Sequence, residues 1–84
     1  MACKVVVLSQ AVNDFASLPT EIQTRVAVAL QQLEDFPNDH GIKKMRPPFK
    51  GYRKRVGDYR ILFDVTGNTV WVRRVKNRKD AYRG

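Results

Sequence analysis

Most of the side chains able to do chemistry in this chain are cations, and they crowd into its second half. Arg53, Arg55, Arg60 and Arg73 recur within a stretch that alternates polar and apolar residues, and the terminal run Arg78-Lys79-Asp80-Ala81-Tyr82-Arg83 adds further cations and a phenol. His40 is the only histidine and Cys3 the only cysteine. His40 lies in a Pro/Asn/Asp/Gly stretch and Cys3 is remote from it, so no zinc-type ligand set can be assembled. A two-histidine acid–base pair is excluded by the count. Two-metal sites need a carboxylate cluster, whereas the basic half offers only Asp58, Asp64 and Asp80. Neither a glycine-rich phosphate loop nor a nucleophile elbow is present, and no metal or cofactor is expected.

Cations and a phenol suffice for one kind of chemistry. RNA carries its own nucleophile, the 2′-hydroxyl, so a catalyst need only align that oxygen with the phosphorus, stabilise the added negative charge and assist proton transfer. Arginines can stabilise the charge without a metal. A lysine or tyrosine can move the proton where neighbouring positive charge lowers its pKa, and Tyr82 has such neighbours. Tyr82 reads equally as an aromatic that pins the end of the chain.

The charge distribution agrees with a polyanionic partner. The net charge is +8, but residues 1–42 carry 2 basic against 5 acidic groups, or −3, and residues 43–84 carry 14 against 3, or +11. Such asymmetry points to nucleic acid, because phosphate neutralisation supplies most sequence-independent affinity. A basic surface kept for solubility is the bland alternative. With 84 residues, 43% of them apolar, the chain reads as one globular domain over 1–84. A core this small leaves little room for an internal cavity, so the site must be an open groove. Apolar runs such as Val5–Leu8 are far below the ~20 residues of a membrane span, and neither a signal-peptide layout nor a paired cysteine speaks for export. A cytoplasmic protein without a membrane partner is expected.

The elements that must position these side chains follow from periodicity. Cys3–Leu8 is short and β-branched, a buried strand. Ser9 can cap a short helix in which Ala11, Phe15 and Leu18 share a face, ended by Pro19. Thr20-Glu21-Ile22-Gln23 has capping-box spacing, and Ile22, Val26, Ala29, Leu30 and Leu33 form one stripe of an amphipathic helix. Residues 36–41 are loop-like, and Pro47-Pro48 forbids helix. From Gly51 the period becomes two, with strands 52–56, 59–65 and 69–75 joined by Gly57-Asp58 and Gly67-Asn68, both suited to two-residue hairpin turns.

Two-residue turns fix the register. Val56 should then pair with Tyr59, Arg55 with Arg60, Lys54 with Ile61 and Arg53 with Leu62. In the second hairpin Val65 should pair with Val70, Asp64 with Trp71, Phe63 with Val72, Leu62 with Arg73 and Arg60 with Val75. One face, with Tyr52, Val56, Tyr59, Ile61, Phe63, Val65, Val70 and Val72, should pack on the helices, and Lys54 should point the same way. The other holds Arg53, Arg55, Arg60 and Arg73 among Leu62, Trp71 and Val75. Like charges directly opposite one another, as Arg55 and Arg60 would be, cost a sheet roughly 0.2–1 kcal/mol unless an anion lies between them. Arginines beside an aromatic ring make an RNA-contacting surface. A wet sheet face whose charges are paired by Asp64 or screened is the alternative.

Two stretches carry a family resemblance. Phe49-Lys50-Gly51-Tyr52-Arg53-Lys54-Arg55-Val56-Gly57-Asp58-Tyr59-Arg60-Ile61 is similar to the "L-x-G … R-x-R-x-G-x-Y-R-I" stretch of the RelE/ParE toxin superfamily. Val75-Lys76-Asn77-Arg78-Lys79-Asp80-Ala81-Tyr82-Arg83 resembles its terminal "V-x-H-R-x-D-x-Y", and Leu18-Pro19 before the long helix also matches. The resemblance spans essentially the whole chain. It implies an α+β fold in which an N-terminal strand and a two-helix hairpin pack on a mainly antiparallel four-stranded sheet.

The resemblance to RelE-type members further implies a type II toxin that cleaves messenger RNA on the ribosome by 2′-hydroxyl attack without a metal or other cofactor. It implies that Arg60 stabilises the phosphate, that Arg78 lies near the scissile group, and that Tyr82 serves proton transfer or base stacking. Arg53 stands where the best-known members have a catalytic lysine. A second lysine of those members aligns with Gly51, and the usual histidine of the terminal motif is Asn77. RNA contacts are expected from Arg55, Arg73, Lys54, Trp71 and Lys76. The expected partners are mRNA on the ribosome and a co-encoded, acidic antitoxin. Inhibition of DNA gyrase, as by ParE-type relatives, and a non-catalytic RNA- or ribosome-binding module remain the alternatives.

Overall fold

Five strands and two helices make up the computed structural model, which describes residues 3–38, 41–47 and 50–77. The order is β1 (Lys4–Val7), α1 (Ser9–Ala16), α2 (Thr20–Gln32) with a 3-10 turn at Leu33–Asp35, β2 (Ile42–Lys44), β3 (Tyr52–Val56), β4 (Tyr59–Thr66) and β5 (Thr69–Asn77). They form one sheet in the order β1-β5-β4-β3-β2, antiparallel except where β1 runs parallel to β5. The expected class is therefore correct, with one strand more than expected. That strand is β2, whose lysines gave no alternation to read; short, lysine-bearing edges of this kind resist pairing with other chains.

The helices are entered differently from the expectation. Leu8, not Ser9, occupies the N-cap of α1, and Pro19 that of α2, neither with a side-chain cap. The Thr20 capping box does not form. Instead the Gln23 amide donates to the Phe15 and Ala16 carbonyls at 3.0 and 3.4 Å, satisfying groups that the end of α1 leaves open. Thr20 accepts from the Thr24 hydroxyl through its carbonyl, at 3.3 Å.

Alternation decides what the sheet buries. Val56, Ile61, Phe63, Val70, Val72 and Val75 meet Ala11, Val26, Ala29 and Leu33 from the helices in one core. Phe36, Tyr52 and Phe63 close one end of it, with Tyr52 and Phe63 stacked at 5.7 Å and Phe36 edge-on to both. Gly57 and Gly67 have φ of +56° and +59°, and no non-glycine residue among those described has positive φ. Glycine at the first central position alone is the signature of type II′ turns, whose twist matches the strands.

Candidate nucleic-acid interface

The first hairpin has the register that its turn dictates: Val56 opposite Tyr59, Arg55 opposite Arg60, Lys54 opposite Ile61 and Arg53 opposite Leu62. The second follows expectation from Val65–Val70 to Phe63–Val72, then shifts by one residue between Leu62 and Phe63. Leu62 pairs with Arg74 and Arg60 with Lys76, correcting the expected partners Arg73 and Val75. Arg73 is thus the extra residue of a β-bulge, which admits two residues against one and re-aims those that follow.

The bulge changes both faces. Val75 turns into the core, where it is 4% exposed, instead of lying among the arginines. Lys76 takes its place, so that Arg55, Arg60 and Lys76 stand directly opposite one another across three strands. A second row, two residues along and so about 7 Å away, contains Lys43, Arg53, Leu62 and Arg74. Neither Lys43 nor Arg74 was singled out in the sequence. Two adjacent arginines in a strand of period two were the available signal, since both can share a face only across a bulge.

Arg60 sits at the centre of the first row and is only 6% exposed. Its Nη1 donates to its neighbour's carbonyl, Tyr59 O, at 3.2 Å, while its buried Nε has no hydrogen-bond partner. A buried cation normally has a counter-charge and filled donors. Here both cross-strand neighbours are also cations. The Arg60 guanidinium therefore has donor capacity and field suited to an anion.

Other charges on this face are already engaged. Arg73 Nε lies 3.0 Å from Asp64 Oδ2, off the hydrogen-bond line, and Nη2 donates to Lys50 O at 3.1 Å. This pair presses on Gly51, where a Cβ would collide with the Asp64 carboxylate and come within 2.7 Å of Phe63 O. Gly51, at φ +87°, thus stands where side chain is excluded, which accounts for the absence of a lysine there. Trp71, opposite Asp64, is half-buried and donates through Nε1 to Thr66 Oγ1 at 2.7 Å.

Arg74 is anchored from the helical side. Asp14 of α1 accepts from Arg74 Nε at 2.8 Å, from Arg74 Nη2 at 3.0 Å and from the Val75 amide at 2.9 Å. Burial pushes the Asp14 carboxyl up, but Arg74, the Val75 N–H and the positive field of Arg74 and Lys76 outweigh it, and the pKa lies below the ordinary 3.8. Hydrogen bonding to Asp14 raises that of Arg74. The contact fixes α1 against the bulged strand beyond the end of β1.

The basic face therefore brings together Arg53, Arg55, Arg60, Arg73, Trp71 and Lys76. Lys54 is not among them: it points towards the helices, as its register requires, and is 5% exposed. Arg78 and Tyr82 lie outside the described residues, as does His40. Among the described residues no three His, Cys, Asp or Glu side chains are grouped to hold a metal ion, and no helix is long and apolar enough to cross a membrane.

Known proteins share this fold. Residues 5–82 match the family model described as the ParE toxin of the type II toxin–antitoxin system parDE. Toxin RelE3 of Methanocaldococcus jannaschii is 35% identical over 85 residues, covering 94% of each chain. The RelBE2 toxin–antitoxin complex of Mycobacterium tuberculosis contains a chain that superposes with a TM-score of 0.80 at 28% identity, covering 93% of this chain and 100% of that one. A chain of the RelB–RelE complex from Methanococcus jannaschii gives 0.76 at 29%, covering 93% and 95%. In the RelE–RelB complex of Pyrococcus horikoshii the values are 0.76 and 25%, covering 96% and 100%. The protein belongs to the RelE/ParE superfamily of toxins from type II toxin–antitoxin systems.

Proposed function

We propose that this toxin is a ribosome-dependent mRNA endoribonuclease acting by metal-free 2′-hydroxyl attack. The observation that carries the reading is the Arg55–Arg60–Lys76 row with an under-satisfied, buried Arg60 at its centre. Three directly opposed cations destabilise an empty sheet, and a bound phosphate removes that penalty. In the attack, the 2′-oxygen bonds to phosphorus, the 5′-oxygen of the next nucleotide leaves, and negative charge grows on the non-bridging oxygens. Arg60 faces that charge, assisted by Arg53; by family resemblance Arg78 acts on the scissile group and Tyr82 handles the proton or stacks on a base. Arg55, Arg73, Trp71 and Lys76 hold flanking phosphates and bases, since aromatic and guanidinium planes stack on unpaired bases. Lys54, on the far side of β3, contributes field instead of contact.

The superposed chains come from toxin–antitoxin complexes, which supports a cognate antitoxin as partner here; the positive charge of residues 43–84 suits an acidic one. The match to the ParE model favours a second reading, inhibition of DNA gyrase. Purified protein is to be incubated with mRNA-programmed ribosomes and, separately, with gyrase in a supercoiling assay. Cut mRNA with supercoiling unaffected is the expected result. Intact mRNA with inhibited gyrase would establish the second reading, and ribosome binding without cleavage would make the protein a non-catalytic module.

A further inference from the structure

On the helical side of the sheet a groove of about 390 Å³ runs between α2 and the end of β3, meeting the basic face only at Arg55. Arg25, Val28 and Gln32 line it from the helix, and Lys54, Arg55 and Val56 from the strand. Every charged residue in its wall is basic. Arg25 is one of only two cations among the first 42 residues, and its guanidinium lies against the Gly57 turn, Nη1 being 3.5 Å from where a Cβ would stand. Val28, a large aliphatic side chain, is 49% exposed in the same wall. Beside it β2 pairs with β3 over Tyr52–Lys54, and the Arg55 amide donates to Gly41 O at 3.3 Å. An aliphatic floor and a basic rim suit an amphipathic acidic segment of a protein, which offers apolar anchors to Val28 and Val56 and carboxylates to Arg25. RNA would find cations but little aromatic surface, since none of the lining residues is aromatic.

We propose that this groove is a docking site for an acidic, aliphatic-bearing segment of the cognate antitoxin, sharing only Arg55 with the basic face that meets RNA. The inference rests on the reading that the chain has such a partner. A two-point grip follows, in which the antitoxin is retained through the groove even when the arginine rows are occupied.

The test measures binding of the full antitoxin chain encoded beside this toxin to the intact protein and to Arg25→Glu and Val28→Asp. Both positions are exposed, and thermal melts by circular dichroism verify the fold. Val12→Asp, on the exposed face of α1, serves as the control. Each groove variant is expected to raise Kd by about tenfold or more, equivalent to about 1.4 kcal/mol, with the control unchanged. Wild-type affinity in both groove variants would overturn the groove assignment while leaving the partnership standing. Absence of binding to the unaltered toxin would overturn both. Weakened ribosome binding with unchanged antitoxin affinity would assign the groove to RNA instead.

Discussion

Replacing Arg60 by methionine should make the protein more stable and less active. Methionine keeps most of the aliphatic stem and removes the guanidinium from a site that is 6% exposed. Two directly opposed like-charge pairs, with Arg55 and with Lys76, disappear; at roughly 0.2–1 kcal/mol each, their relief is worth about 0.4–2 kcal/mol. A buried Nε without a partner is removed too, against the loss of one bond to Tyr59 O, worth about 1 kcal/mol. The balance lies between neutral and about 1 kcal/mol more stable, a rise in Tm of up to about 4–8 °C for a domain of this size. Cleavage should meanwhile fall by about 100-fold or more, as when a single donor to a developing oxyanion is lost. Thermal denaturation followed by circular dichroism, paired with cleavage of mRNA on programmed ribosomes, reads both quantities. Destabilisation by more than about 2 kcal/mol would show that Arg60 is a structural cation, and the anion-site reasoning would be wrong.

Asp14→Asn should cost about 1.5–3 kcal/mol at neutral pH, the range for hydrogen bonds to a charged group. Because the folded carboxyl titrates below 3.8, the unfolded chain binds the proton first; the stabilisation is complete above the unfolded pKa and fades as pH falls through the lowered folded value. Urea denaturation between pH 2 and 6 should show a flatter acid limb in the variant, and parallel limbs would remove Asp14 from the acid response. Gly51→Ala should destabilise by about 2 kcal/mol or more, since φ +87° and the collision with Asp64 and Phe63 both oppose a side chain; an unchanged denaturation midpoint would refute this. Arg55→Ala, at an exposed position, should lower the salt dependence of RNA binding by about 0.7 in the log–log slope, one single-strand phosphate contact. An identical slope would take Arg55 off the contact surface.

How far the sequence could be read is set by how local each determinant is. The turns at Gly57 and Gly67 specify pairing by themselves, so the arginine face and the inward direction of Lys54 were legible from alternation alone. The bulge at Arg73 depends on Asp64, Lys50 O and Gly51 meeting across three parts of the chain, and period-two reading therefore misplaced Val75. Helix entry failed for a related reason: the Gln23 side chain donates to a carbonyl at the end of α1 instead of accepting from the Thr20 amide, a tertiary choice that local spacing cannot express. β2 is only three residues long and acquires its identity by pairing with β3. Asp14 shows the same limit, since its partners Arg74 and Val75 lie about sixty residues away.

The ends left on the cut RNA test the central claim most directly. Attack by the 2′-hydroxyl expels the 5′-oxygen and leaves a 2′,3′-cyclic phosphate, with a 5′-hydroxyl on the downstream fragment, whereas attack by an activated water leaves a 3′-hydroxyl and a 5′-phosphate. Mapping the cut on programmed ribosomes and testing the downstream fragment for direct labelling by a polynucleotide kinase distinguishes them. The expected result is a labelled 5′-hydroxyl end, lost in Arg60→Met. A 5′-phosphate, or full cleavage by the variant, would contradict arginine-assisted, metal-free attack on this face.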